Sequence, residues 1–289
     1  MALARTLAAL AAFAVAASLS LDARAAAQPA DLCPDGYAAL SKGEAEAAST
    51  AFEDCLAERL YDWPVEAELR ARLGAAQLAA GESEAALLTY NQVFALVEGN
   101  GGDVDNPLIR RNRAAAYLQL DRHEEALEDI RRALALAPDD AFAQLLAGSA
   151  YLDLDRPEEA VAAFDSALRV DPGYVSAWIG RSAAFVELGL DDNAVADGRE
   201  AVSIDPDDAG ALNALCWALV KAGRAADGLE ICDAAVEAEP DSGPIVHSRA
   251  AALEQLGRQE EAAELYARAY ELAPDDPEIT EDYRRIHGD

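Results

Sequence analysis

The chain has 289 residues, 54 of them Asp or Glu and only 23 Lys or Arg, for a formal net charge of −31. That imbalance argues against nucleic acid or an anionic membrane surface as a partner, since both require a basic footprint. Hydrophobic residues make up 52%, enough for a core, while aromatics supply 6% and Ala alone 69 residues, which excludes an all-β fold and favours closely packed helices.

Residues 1–25 read as a signal peptide with cleavage near residues 25–27. Arg5 is the only charge ahead of an apolar run from Thr6 to Leu21, and Ala23-Arg24-Ala25 or Ala25-Ala26-Ala27 supplies the small-residue cleavage motif. The run is shorter than the roughly 20 residues a spanning helix needs; a retained N-terminal anchor is the alternative. The expected location is a bacterial periplasm. Four cysteines, at 33, 55, 216 and 232, form no C-x-x-C pair and no cluster with His. In an oxidising compartment an even number should pair, with three connectivities open.

Further along, Pro138, Pro172, Pro206, Pro240 and Pro274 stand 34 residues apart, and Ala133, Ala167, Ala201, Ala235 and Ala269 lie five residues ahead of each. A fixed period of that length is the mark of a repeat architecture. Each period reads as two short helices, for example Ala141 to Leu154 and Pro157 to Val170. Pro157 suits a first helical turn, Glu158 and Glu159 suit the positive end of the helix dipole, and Pro172 cannot continue the second helix.

These residues resemble the tetratricopeptide repeat family, whose pattern is Trp-x2-Leu-Gly-x2-Tyr, then Ala-x3-Phe and a late Pro. Unit 141–174 carries it as Gly148, Tyr151, Ala160, Phe164, Ala167 and Pro172. Residues 107–276 hold five units in register, 67–100 one more with Gly74, Ala86 and Tyr90, and 29–62 a degenerate hairpin with Gly36, Ala48 and Phe52. Residues 277–287 read as a capping helix with Ile279, Tyr283 and Ile286 on one face. The resemblance implies an all-α, right-handed α-solenoid of about seven helix-turn-helix units plus that cap.

The repeat frame also sorts the cysteines. Cys216 and Cys232 fall where the two helices of one unit face each other, and Cys33 and Cys55 fall on the two helices of the degenerate first unit. The expected bonds are Cys33–Cys55 and Cys216–Cys232, the alternative being free thiols filling core positions.

The chain carries no phosphate-binding glycine loop, nucleophile elbow or zinc-protease motif, so no catalytic residue, cofactor or metal is expected. The acidic pairs Asp139-Asp140, Asp191-Asp192, Asp207-Asp208 and Asp275-Asp276 sit at helix starts, where Asp caps free N–H groups. The insert Gly101–Asn106 has calcium-like spacing but reads as a linker.

In the family, the first helix of each unit lines a concave groove. The matching positions imply a peptide groove of Leu118, Phe142, Leu145, Leu152, Ile179, Val186, Asn213, Trp217, Val220 and His247, unless neighbouring helices bury part of that stripe. The family's carboxylate clamp is not expected: Asn112 is in place, but Ala71, Ala75, Phe142 and Leu146 stand where its other ligands would be. The reading is a non-enzymatic periplasmic scaffold or adaptor, including assembly-factor roles, that binds a peptide or protein of basic character. The alternative is a structural subunit of an envelope complex that uses its outer faces.

Overall fold

The computed structural model describes residues 29–58 and 60–288; the segment read as a signal peptide lies outside them. Among the described residues there are sixteen helices and no strand. They fall into two compact units whose boundary, between Ala150 and Tyr151, lies inside one helix.

The first unit contains a single turn α1 (Pro29–Leu32), then α2 (Pro34–Lys42), α3 (Ala45–Glu58), α4 (Trp63–Ala79), α5 (Ser83–Gly99), α6 (Pro107–Gln119), α7 (His123–Leu136) and most of α8 (Ala141–Asp153). The second begins in the last turn of α8. It continues with α9 (Pro157–Val170), α10 (Val175–Glu187), α11 (Asp191–Ile204), α12 (Ala209–Lys221), α13 (Ala225–Ala238), α14 (Gly243–Gln255), α15 (Gln259–Leu272) and α16 (Pro277–His287).

The sequence shows why the chain breaks where it does. Pro occupies the first turn of α2, α4, α6, α9, α14 and α16, where no intrahelical N–H bond is lost. Asn106, Asp140, Asp208 and Asp276 accept hydrogen bonds from the N–H groups two or three residues on, as capping side chains do. The turn between the helices of each pair needs one residue at positive φ. Gly43, Gly81, Gly189, Gly223 and Gly257 supply it in five pairs, and Asp121 and Asp155, both at φ 56°, supply it in the others. Asp is among the few side chains that adopt this conformation routinely.

The helices of a pair can approach because the crossing residues are small. Ala133, Ala167, Ala201, Ala235 and Ala269, the alanines ahead of the repeat prolines, are all fully buried. At a second recurring site a small residue on the first helix receives a ring from the second. A Cβ on Gly36 would stand 2.9 Å from the Phe52 ring, and one on Gly74 would stand 2.9 Å from that of Tyr90. In the α12–α13 pair both members of that site are cysteines, and they are bonded to each other: Cys216–Cys232, across a sequence separation of 16. The second disulfide, Cys33–Cys55, spans a separation of 22 and joins the start of α2 to α3. No described cysteine is free.

Ion pairs reinforce the helix pairs. Arg113 makes a two-pronged contact with Asp129, at 2.6 and 2.9 Å, and Arg181 makes the same contact with Asp197, at 2.7 and 2.9 Å. Burial raises the Asp197 carboxyl above its ordinary value even though Arg181 opposes the shift. These pairs hold their geometry rather than add much net stability, because desolvation offsets the attraction.

Candidate functional site

Three first helices of the second unit each present a stripe at helical spacing to one cleft. On α12 the stripe is Trp217 and Val220-Lys221; on α14 it is Ala251 and Glu254-Gln255; on α16 it is Glu278, Glu281-Asp282 and Arg285. Residues three, four and seven apart share a helix face, which is why these side chains converge. The cleft has a volume of about 610 Å³. Its floor is Trp217, Val220, Ala251 and the ring of Tyr266 from α15, and its walls are mostly carboxylates.

The first helices are fixed by local chemistry. Cys216, next to Trp217, is bonded to α13, which fixes the rotation of α12 about its axis. Gln255 Nε2 donates to the carbonyl of Val220 at 3.0 Å, and Gln255 Oε1 accepts from the N–H of Ala225 at 2.9 Å. One side chain thereby satisfies an end of α12 and the start of α13, where backbone groups lack helical partners.

A connected polar network closes the C-terminal side of the cleft. Tyr266 Oη donates to Glu254 at 2.7 Å, and Arg285 donates to the same carboxylate at 2.6 and 2.8 Å. Arg285 also donates to Asp282 at 3.0 Å, and Asp282 Oδ2 lies 2.8 Å from His247 Nε2. A carboxylate can only accept, so the ring proton belongs on Nε2. The Arg285 guanidinium holds the Glu254 carboxyl below its ordinary value, and burial raises the Tyr266 phenol. The ring of His247 packs between Trp217, at 5.6 Å, and Tyr266, at 5.5 Å.

Charge is left over at the mouth. Glu278 and Glu281 are exposed, and neither forms an ion pair with a described residue. Lys221, exposed at the end of α12, also pairs with no described carboxylate; its Nζ lies 5.0 Å from the centre of the Trp217 ring.

The residues expected to line a groove are distributed unevenly. Leu118, Phe142 and Leu145 lie in the first unit, all buried, and the Arg111 guanidinium covers Phe142 at 4.9 Å. Arg111 also reaches Asp140 at 3.0 Å and shares the Asn112 carbonyl, so the isolated clamp asparagine is used internally. In the second unit Ile179 is buried, and Leu152, Val186 and Asn213 are half-buried. The Asn213 Oδ1 is buried without a hydrogen bond among the described residues. Trp217 and Val220 line the cleft. His247 lies beneath it, 4% exposed.

Sequence reasoning missed Glu278, Glu281, Asp282 and Arg285 because it treated the last helix purely as a cap. The signal was available. Counted in the same 34-residue frame, Glu278, Glu281 and Arg285 fall at the second, fifth and ninth positions of a next unit, which are groove positions. Elsewhere, Arg110 engages Asp105 of the calcium-like insert, and among the described residues no group of three His, Cys, Asp or Glu could hold a metal ion. No described helix is long and apolar enough to cross a membrane.

Four tetratricopeptide repeat profiles match the chain, over residues 108–140, 145–209, 192–253 and 244–283. The chain belongs to the tetratricopeptide repeat family, and its helix pairs are the units of such an α-solenoid. No curated protein sequence matches it. Among solved structures, a tetratricopeptide repeat protein from Parabacteroides merdae is 21% identical with a TM-score of 0.69, over 89% of this chain and 98% of that one. PilW, a type IV pilus biogenesis factor, is 21% identical with a TM-score of 0.62, over 75% and 97%. The Cut9–Hcn1 hetero-tetramer of the APC/C contributes a chain that is 11% identical with a TM-score of 0.71, over 87% of this chain and 48% of that one. At these identities the likeness is one of fold.

Proposed function

We propose that the protein is a non-enzymatic scaffold of the bacterial periplasm that holds a peptide or protein segment in the cleft formed by α12, α14 and α16. The observation that carries this reading is the cleft itself: an apolar, aromatic floor with acidic walls, about 610 Å³ in volume. Buried aromatic anchors with a polar rim are the usual anatomy of a protein-binding site. The surplus of carboxylates favours a basic partner and hastens its encounter at low ionic strength. Export is supported by two disulfides, which persist in oxidising compartments. Assembly-factor roles belong to the same class, and PilW, whose name describes such a role, has this fold.

The test compares capture from periplasmic extract by the wild type and by Trp217→Ala. Loss of a captured species in the variant is the expected result, and identical capture by both rejects the cleft as the binding surface.

A second reading rests on a different observation. Val170, Ile204 and Leu272 are 43%, 37% and 37% exposed and stand at corresponding repeat positions at the ends of second helices. A structural role in an envelope complex would use such residues, and Val170→Ser with Ile204→Ser would then abolish capture where Trp217→Ala does not.

A further inference from the structure

The mouth of the cleft contains charges that do not neutralise one another. Arg285 is committed to Glu254 and Asp282, which leaves Glu278 and Glu281 without a cation among the described residues. Lys221, on the opposite helix, is likewise without a carboxylate and lies instead over the face of Trp217. A ring face attracts a cation through its quadrupole, and the attraction is modest where water reaches the pair. An exposed ammonium held only in that way is easily replaced.

We infer that Lys221 is an internal stand-in for a ligand cation. The partner segment presents a Lys or Arg side chain to the face of Trp217, Glu278 and Glu281 pair with that charge, and Lys221 swings out to solvent. This inference rests on the reading that the cleft is a binding surface, and it adds the chemistry of the occupant: a basic segment with apolar residues beside the basic one, matched to Val220 and Ala251 on the floor. A neutral or acidic segment would leave the two glutamates unneutralised and Lys221 in place. Lys221 therefore acts as an intramolecular competitor that sets a ceiling on affinity.

The test uses a capped peptide of alternating Lys and Leu, its Glu/Leu counterpart, and the full chain. Because the whole surface is acidic, charge alone could hold the Lys/Leu peptide anywhere. Binding is therefore followed through Trp217 emission in a Trp63→Phe, Trp178→Phe background and by calorimetry. The expected results are a shift in Trp217 emission with Lys/Leu only, and weaker binding by Glu278→Gln with Glu281→Gln. Lys221→Met is expected to bind about threefold tighter or more, the change that follows from removing an exposed cation–π competitor. Lys221→Met is a surface change, so it tests the idea even where Trp217→Ala fails to fold. Unchanged or weaker binding by Lys221→Met overturns the inference, as does Lys/Leu binding without an emission change. If neither peptide binds while Trp217→Ala still abolishes partner capture, the cleft remains the binding surface and the basic occupant is wrong.

Discussion

His247 and Asp282 meet at 2.8 Å across the junction between α14 and α16, and the histidine is 4% exposed. This contact ties the last helix to the unit before it through a buried ring. Replacing Asp282 by Ala leaves the Nε2 donor unsatisfied, at a cost of about 1–3 kcal/mol. The expected outcome is faster amide exchange across 277–287 with little change in α12 and α13. Uniform exchange across the second unit would place the contact's role elsewhere.

Acid should loosen the same junction. Arg285 holds the Glu254 carboxyl below its ordinary value, so the folded chain binds this proton less readily than the unfolded chain. The stabilisation is therefore complete above the ordinary carboxylate range and fades as pH falls through it. In Arg285→Ala, exchange in α16 should be faster at neutral pH and respond less to acidification in that range. A variant that follows the wild-type acid profile would remove Glu254 as the cause.

The Cys216–Cys232 bond closes a short loop, for which chain-entropy arguments give about 3 kcal/mol. Cys216→Ala with Cys232→Ala should lower stability by that order in a denaturant titration. The loss should be larger than for a single alanine on a solvent face.

Asp155 occupies the turn position at φ 56°, where five other helix pairs use Gly. Asp155→Gly should be neutral or slightly stabilising, because the left-handed conformation costs Gly nothing. Asp155→Val should lose about 1–2 kcal/mol, as a β-branched residue is strongly disfavoured there. Thermal melts of the two variants distinguish backbone strain from a loss of charge, since both remove the carboxylate.

Gly74 lies so close to Tyr90 that a Cβ would stand 2.9 Å from the ring. Tyr90 is fully buried, so the ring cannot retreat to solvent. Gly74→Ala should destabilise by about 1–3 kcal/mol through overpacking, measured by the denaturation midpoint. A stable Gly74→Ala protein would mean that α4 and α5 separate at low cost.

Much of this fold could be read directly because a 34-residue period imposes itself on proline, alanine and turn chemistry together. The second helix Pro157–Val170 and the last helix Pro277–His287 were legible to the residue, since proline fixes their starts. The cysteine pairs were legible once the repeat frame placed them. The cleft was harder. A first-helix position can face a ligand, a neighbouring helix or a side chain such as Arg111, and spacing does not distinguish these. Phe142 and Trp217 look alike in the sequence; one is covered by a guanidinium and the other lines open space. The contribution of α16 was hidden for a different reason: its apolar stripe, Ile279, Tyr283 and Ile286, drew attention away from the charged face.

Helix pairs such as α4–α5 are held by a ring against a small residue, a contact indifferent to the surrounding redox potential. The α12–α13 pair has exchanged that contact for a covalent bond, one residue away from Trp217. Thiol chemistry thus has a single point of access to the cleft floor. A reductant that leaves the neighbouring pairs untouched would remove the covalent tie on the helix that carries the aromatic anchor.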